Sequence, residues 1–181
     1  MWRRAWFVCA AAAIAGAAAA APPQSKPVYG FGKPATPQEI AGWDIDVRAD
    51  GAGLPPGRGG VEAGRAIYAQ KCAVCHGATG VEGPMDHLAG GAGTLKSAKP
   101  ERTVGSFWPY ATTLYDFIHR AMPFTAPQSL SPDETYAVVA YVLFLNHIVP
   151  KDAVMDARSL PKVKMPNRGG FTSPDPRPDA P

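Results

Sequence analysis

The stretch "KCAVCHG", Lys71–Gly77, places two cysteines three positions apart with a histidine directly after the second. A C-x-x-C pair alone is compatible with a redox dithiol or with half of a zinc site. The histidine narrows the choice, because C-x-x-C-H is the attachment site of a c-type haem. The motif therefore predicts one covalent haem c, bound through Cys72 and Cys75, with His76 as the proximal iron ligand.

The N-terminal segment predicts that the chain is exported. Arg3 and Arg4 precede an apolar stretch at residues 6–20, and the alanines before Pro22 offer A-x-A cleavage sites. We expect residues 1–21 to be a cleaved signal peptide, because the apolar stretch is too short and too poor in leucine for a stable membrane anchor. Haem attachment after export places the mature protein in a bacterial periplasm.

The charge and the remaining residues exclude several classes of function. The formal net charge of +3 falls to about +1 when the signal peptide is removed, so no nucleic acid or anionic membrane surface is expected as a partner. There is no Ser-His-Asp candidate, no Gly-rich phosphate loop and no spare His/Cys cluster for a second metal. The sequence predicts no catalytic residue, and the mature length of about 160 residues suits one domain.

Composition divides the mature chain into three regions. Residues 22–60 are rich in Pro and Gly but carry aromatic residues, which predicts an extended arm, and residues 150–181 form a similar C-terminal tail. Residues 61–149 show helical periodicity before the C-x-x-C-H motif, in "TTLYDFIHRA", and after a capping box at Ser131-Pro132-Asp133-Glu134. The fold class predicted is all-α, with irregular N- and C-terminal arms.

A helix that runs into C-x-x-C-H, a middle loop and a late amphipathic helix resemble the class I cytochrome c fold over residues 60–149. In that family the first and last helices cross closely, with a Gly on one and an aromatic residue on the other. Gly64, Tyr68 and Tyr141 match those positions. The resemblance implies a low-spin electron carrier whose iron has a sixth ligand opposite the histidine.

The resemblance assigns the sixth ligand to Met122, because cytochromes of this class commonly carry it in a Met-Pro pair such as that of "RAMPF". His87 is the alternative, since bis-histidine haems exist and it lies in a Gly-rich loop. Five other candidates fit less well. Among the methionines, Met85 is too close to His76, and Met155 and Met165 lie in the tail. Among the histidines, His119 lies on a polar helix face and His147 follows the last helix.

The same resemblance names residues around the haem. "VEGPMDHLAG" is similar to the Gly-Pro loop whose carbonyl accepts the other N–H of the proximal imidazole, and the match points to Pro84. Trp108 and Tyr110, in "SFWPYATT", have apolar rings with polar tips. They are candidates to bond the haem propionates, with ordinary core packing as the alternative.

Longer segments are similar to SoxD, the cytochrome subunit of the bacterial sulfur-oxidising (Sox) sulfane dehydrogenase, and to cytochromes that accompany sulfite dehydrogenases. They are "FGKPATPQEIAGWDIDVRADGAGLPPGRG", "LAGGAGTL", "TVGSFWPYATTLYDFIHRAMPF" and "SLSPDETYAVVAYVLFLN". Longer members of that family carry a second haem domain, whereas this chain has a single C-x-x-C-H motif.

The resemblance implies a partner, a molybdopterin-containing dehydrogenase subunit that passes electrons from sulfane sulfur or sulfite to the haem. A downstream cytochrome or oxidase would receive them. The arm, including Tyr29 and Trp43, is then expected to contact the partner, with wrapping of the cytochrome's own domain as the alternative. A soluble carrier that shuttles between several periplasmic enzymes and an oxidase is the alternative function.

Overall fold

A computed structural model describes residues 31–172 of the 181-residue chain. The predicted signal peptide, the start of the arm with Tyr29, and the end of the tail lie outside the described residues. Residues 36–172 belong to one compact unit, and residues 31–35, which belong to the preceding unit, are exposed. Within residues 31–172, no helix has both the length and the hydropathy that a membrane span requires.

The described part of the chain contains five α-helices and one two-stranded sheet, so the all-α prediction is confirmed. The two strands pair in antiparallel orientation, with Gly59 of the first opposite Met155 of the second. Each strand has only three residues, which is too short for an alternating pattern to be visible in the sequence. The helices are α1 (Pro37–Trp43), α2 (Val61–Lys71), α3 (Ala73–His76), α4 (Ala111–Ala121) and α5 (Pro132–Leu145), and the strands are β1 (Arg58–Gly60) and β2 (Val154–Asp156).

Helices α2 and α5 cross at the close contact that the sequence resemblance implied. A Cβ atom at Gly64 would overlap the backbone carbonyl of Ala137, so only glycine permits this approach. Beside the contact, the rings of Tyr68 and Tyr141 lie 5.1 Å apart between centroids in a tilted arrangement. A helical glycine costs about 0.5–1 kcal/mol against alanine. The backbone contact explains why the glycine is present in α2.

Helix α5 forms the centre of the core. Its predicted capping box is present, because the Ser131 hydroxyl accepts from the Glu134 N–H at 3.3 Å and the Glu134 carboxylate accepts from the Ser131 N–H at 2.9 Å. Residues 135–143 are all buried, so the buried surface of α5 extends around the helix and is not limited to one stripe. The helix is covered on several sides, by α2, α4 and both strands.

The tail returns to the helical unit and adds to its core. Met155, Leu160 and Met165 are buried in the same hydrophobic cluster as the middle of α5. The β1–β2 pairing joins the last residues of the predicted arm to the first part of the predicted tail. Both regions therefore contribute to the folded unit.

The arm divides into a packed part and an exposed part. The Asp116 carboxylate accepts from the Val47 N–H at 2.8 Å, and the Thr112 hydroxyl donates to the Ala49 carbonyl at 3.0 Å. These bonds attach residues after α1 to α4. Helix α1 itself has no buried residue, and the side chain of Trp43 at its end is 87% exposed.

Candidate haem site

The C-x-x-C-H motif lies at the junction of two helices. Helix α2 ends at Lys71, and the four-residue α3 follows after Cys72, so that Cys72, Cys75 and His76 share about one helical turn. The end of the motif is fixed by Tyr68, whose buried ring donates its hydroxyl proton to the Gly77 carbonyl at 3.0 Å.

The two cysteines lie in different environments. Cys72 is half-buried and Cys75 is exposed. Burial raises the pKa of Cys72 to about 11, so this group is a protonated thiol at neutral pH. Redox dithiols of the C-x-x-C type react through a thiolate with a lowered pKa. The shift therefore disfavours the redox alternative.

The imidazole of His76 is oriented by the backbone. Its Nδ1 lies 2.9 Å from the carbonyl oxygen of Asp86, so Nδ1–H is the donor. A metal-binding histidine usually donates its other ring N–H in this way, which fixes the tautomer and leaves the second nitrogen for the metal. The two thiols and a histidine with Nε2 free fit the requirements of a covalent haem c.

The acceptor differs from the one that the sequence predicted, since the carbonyl of Asp86 takes the place assigned to that of Pro84. The loop turns against the motif just before this point. A Cβ atom at Gly83 would overlap the Cys75 carbonyl, which also accepts from the Met85 N–H at 3.0 Å. One residue further along the chain, the carbonyl of Asp86 faces the imidazole.

We call residues 77–91 the proximal loop. Its backbone is bonded internally, since the Leu88 N–H donates to the Gly80 carbonyl at 2.7 Å. It is also bonded to distant side chains. The Asn146 amide donates to the Leu88 carbonyl at 2.9 Å, and the Thr103 hydroxyl donates to the Gly90 carbonyl at 2.6 Å.

His87, the alternative sixth ligand, is engaged within this loop. Its Nδ1 lies 2.6 Å from the Glu101 carboxylate, and both side chains are a little under half exposed. Use of His87 as a ligand through Nδ1 would require this pair to separate.

Met122 follows the last residue of α4 directly. Its N–H donates to the Ile118 carbonyl at 3.0 Å, and its half-buried side chain packs against the core cluster that Cys72 and Trp108 also contact. The tail methionines Met155 and Met165 are buried in that cluster, whereas Met85 is 55% exposed. The structure does not decide which thioether binds iron, and Met122 stays a prediction.

Trp108 and Tyr110, the predicted hydrogen-bonding partners of the haem propionates, pack against aromatic and cationic neighbours. Trp108 meets the ring of Phe117 edge to face at 5.8 Å between centroids. The guanidinium of Arg168 lies over the ring of Tyr110 at 4.4 Å, and the Asn167 amide donates to the backbone of the same segment. The tail thus places a cation beside Tyr110.

Sequence reasoning did not find Asp86, Asn146 or Arg168. The partner of Asn146 lies 58 positions away in the chain, and no local pattern carries such a contact. Asp86 acts through its backbone carbonyl, which residue type does not reveal. Among residues 31–172 there is also no cluster of three or more His, Cys, Asp or Glu side chains suited to a metal ion. The fold and the motif together define a class I c-type cytochrome.

Comparison with known proteins agrees with that class. The family model "Cytochrome C oxidase, cbb3-type, subunit III" matches residues 59–142. A chain of the sulfane dehydrogenase SoxCD from Paracoccus pantotrophus is 45% identical, with a TM-score of 0.77, over 83% of this chain and 74% of that one. No curated protein shows significant similarity.

The chain belongs to the Sox sulfane dehydrogenase family of class I c-type cytochromes. It is an electron-transfer haem protein linked to sulfur oxidation, and membership of the cytochrome c family implies covalently bound haem c.

Proposed function

We propose that the chain is a periplasmic monohaem cytochrome that accepts electrons from a molybdopterin-containing dehydrogenase subunit acting on sulfane sulfur or sulfite. It passes them to a downstream cytochrome or oxidase. The observation that carries the proposal is a C-x-x-C-H motif, with its imidazole oriented by Asp86, on a chain 45% identical to one from SoxCD.

The proposed roles follow from the donor set. Cys72 and Cys75 would hold the haem covalently, and His76, through Nε2, and Met122, through its thioether, would bind the iron. When bound, the haem supplies one-electron redox chemistry. Ligation by both a histidine and a thioether would leave no iron position for a substrate, which suits outer-sphere electron transfer rather than catalysis, and a thioether would raise the reduction potential relative to a second imidazole.

The protein's own residues control access and charge around this group. Trp108 and Tyr110 are proposed to face the haem propionates. The Arg168 guanidinium, held over Tyr110, is suited to offset a propionate charge. Tyr68, one helical turn before the motif, excludes water on the core side, since it is 1% exposed.

The exposed part of the arm is proposed to contact the dehydrogenase subunit. Helix α1 presents Trp43 and the half-exposed Ile40, and an open groove of about 600 Å³ lies between it and the end of α4. Phe117 lines the groove, and the charge of Arg120 beside it is offset by Asp46 and Asp116. A mostly apolar surface of this kind favours a bound subunit over a free shuttle with a charged docking face.

Purification of the cytochrome from its native periplasm under mild conditions tests the proposal. We expect co-elution with molybdenum in near-stoichiometric amount, one haem per chain, and haem reduction on addition of sulfite or of sulfane sulfur on a carrier thiol. A haem protein that elutes alone, and is reduced only by an artificial donor, would contradict the subunit assignment and establish the free carrier. Recovery from the cytoplasmic fraction would contradict the periplasmic location.

A further inference from the structure

The Asp86–Leu88 segment of the proximal loop is held by side chains that come from two other parts of the chain. Asp86 carries the carbonyl that accepts from the His76 imidazole. The next residue, His87, is paired through its ring with Glu101, and the one after, Leu88, accepts through its carbonyl from Asn146. Neither Glu101 nor Asn146 belongs to the C-x-x-C-H motif or to the candidate ligands.

Asn146 is itself fixed in place. It caps the end of α5, and its amide nitrogen donates to both the Leu88 carbonyl and the Val142 carbonyl at 2.9 Å. A Cβ atom at Gly105 would overlap the Asn146 side-chain oxygen, so a glycine makes room for this orientation. The central helix of the core therefore determines where the Leu88 carbonyl lies.

Glu101 is fixed on the other side. Its N–H donates to the Thr94 hydroxyl at 3.0 Å, and its carbonyl accepts from the Ser106 hydroxyl at 2.6 Å. With its backbone anchored, the carboxylate holds the His87 ring at 2.6 Å. The segment that presents the Asp86 carbonyl is thus attached at two consecutive residues to anchored partners.

We propose that Asn146 and Glu101 are positioning residues for the proximal haem ligand. They hold Asp86–Leu88 so that the Asp86 carbonyl stays on Nδ1 of His76. A firm hydrogen bond at Nδ1 raises the basicity of the imidazole, which stabilises ferric iron and lowers the reduction potential. This inference rests on the proposed ligation by His76.

The haem-loaded full chain is the material for the test, with variants Asn146→Leu and Glu101→Gln. The first removes both amide donors, and the second replaces the carboxylate by a neutral amide of the same shape. Thr112→Val is the matched control, since it removes a buried hydrogen bond, to the Ala49 carbonyl, that has no contact with the proximal loop.

Two quantities are measured, the midpoint potential and the solvent exchange rate of the His76 Nδ1 proton by NMR in the ferrous protein. At the wild-type midpoint, Asn146→Leu is expected to raise the ratio of reduced to oxidised protein by about tenfold, the lower end of effects of such outer partners. For a one-electron couple this corresponds to about 59 mV. The Nδ1 proton should exchange faster in both variants, and Thr112→Val should match the wild type.

The exchange rate separates positioning from the direct effect of removing a charge. A raised potential with an unchanged exchange rate in Glu101→Gln would show that the carboxylate acts through its charge, and would overturn its positioning role. An unchanged midpoint potential and an unchanged exchange rate in Asn146→Leu would overturn the positioning role of Asn146. If this variant does not fold, the result for Glu101→Gln alone decides the proposal. A wild type without covalent haem would instead overturn the proposed function.

Discussion

The two sides of the candidate haem site are built differently. The proximal loop, residues 77–91, is bonded to the motif, to residues 101–104 and to the end of α5. The distal segment, defined as residues 122–129, begins at Met122, and residues 124–129 are exposed. The hydrogen bonds described within it are local, such as that from the Ala126 N–H to the Pro123 carbonyl at 2.8 Å.

The difference indicates that the protein alone determines the geometry of His76, whereas Met122 is fixed by its helix only at the start of its segment. We infer that the proximal side tolerates little change, and that the distal segment would gain order from the proposed bond between iron and the Met122 thioether. Segments with few buried contacts and exposed backbone are the ones that open most easily. The predictions that follow test this contrast, from the largest expected effect to the smallest.

Replacement of Met122 by leucine removes the distal thioether at nearly constant volume. We expect the haem to stay covalently attached while the iron becomes open, so that the ferrous protein binds carbon monoxide rapidly, as the wild type does not. Absorbance spectroscopy with added carbon monoxide measures this. The matched control is Met165→Leu at a methionine that is 3% exposed, where the iron should stay closed. Opening of the iron in the control alone would reassign the ligand to Met165.

Replacement of Gly83 by alanine tests the rigidity of the proximal side. The new Cβ atom would overlap the Cys75 carbonyl, and we expect the free energy of unfolding to fall by about 1–3 kcal/mol. Gly42→Ala is the control in exposed α1, where a Cβ atom has no neighbour within 4 Å, and it should raise stability by at most about 1 kcal/mol. Denaturant unfolding compares the two. Equal stability of both variants would contradict a tightly packed proximal loop.

Replacement of Ser131 by alanine removes the hydroxyl from the capping box of α5, whose Glu134 also pairs with Lys71, the residue before Cys72. The loss is expected to be about 1 kcal/mol at neutral pH, with no change in the haem spectrum. Hydrogen bonds from the Ser131 backbone and hydroxyl lower the pKa of Glu134 from its ordinary value near 4.5.

The capping stability from Glu134 is therefore complete above about pH 4.5 and is lost as the pH falls through the lower folded-state pKa. The stability difference between the wild type and Ser131→Ala should shrink over that range in unfolding curves taken at several pH values. A difference that grew on acidification would contradict the assignment.

Replacement of Trp43 by alanine should have the smallest effect on the isolated domain. The side chain is 87% exposed, so the free energy of unfolding is expected to change by less than about 0.5 kcal/mol and the haem spectrum should not change. Binding to the dehydrogenase subunit should weaken, as measured by co-purification. Val154→Ala, at an exposed apolar residue of β2, is the control and should bind normally. A changed haem spectrum in Trp43→Ala would place α1 on the haem domain instead.

The sequence predicted the features that depend on local pattern. The haem motif, the capping box at Ser131 and the role of Gly64 all follow from spacing within one segment or one family motif. The features it missed depend on contacts between distant residues, such as the Asn146 amide at the Leu88 carbonyl and the tail residue Arg168 over Tyr110.

The choice of Asp86 over Pro84 was missed for another reason. The loop packs closely on the motif at Gly83, and the carbonyl that faces the imidazole is that of Asp86. Backbone direction at that scale depends on the packed structure and is not encoded in residue type alone.

The most direct test of the account is to identify both axial ligands in the haem-loaded chain by near-infrared magnetic circular dichroism, in each oxidation state. The account predicts one haem with histidine–methionine ligation in both states, lost in Met122→Leu. A bis-histidine spectrum, or a high-spin iron in either state, would contradict it.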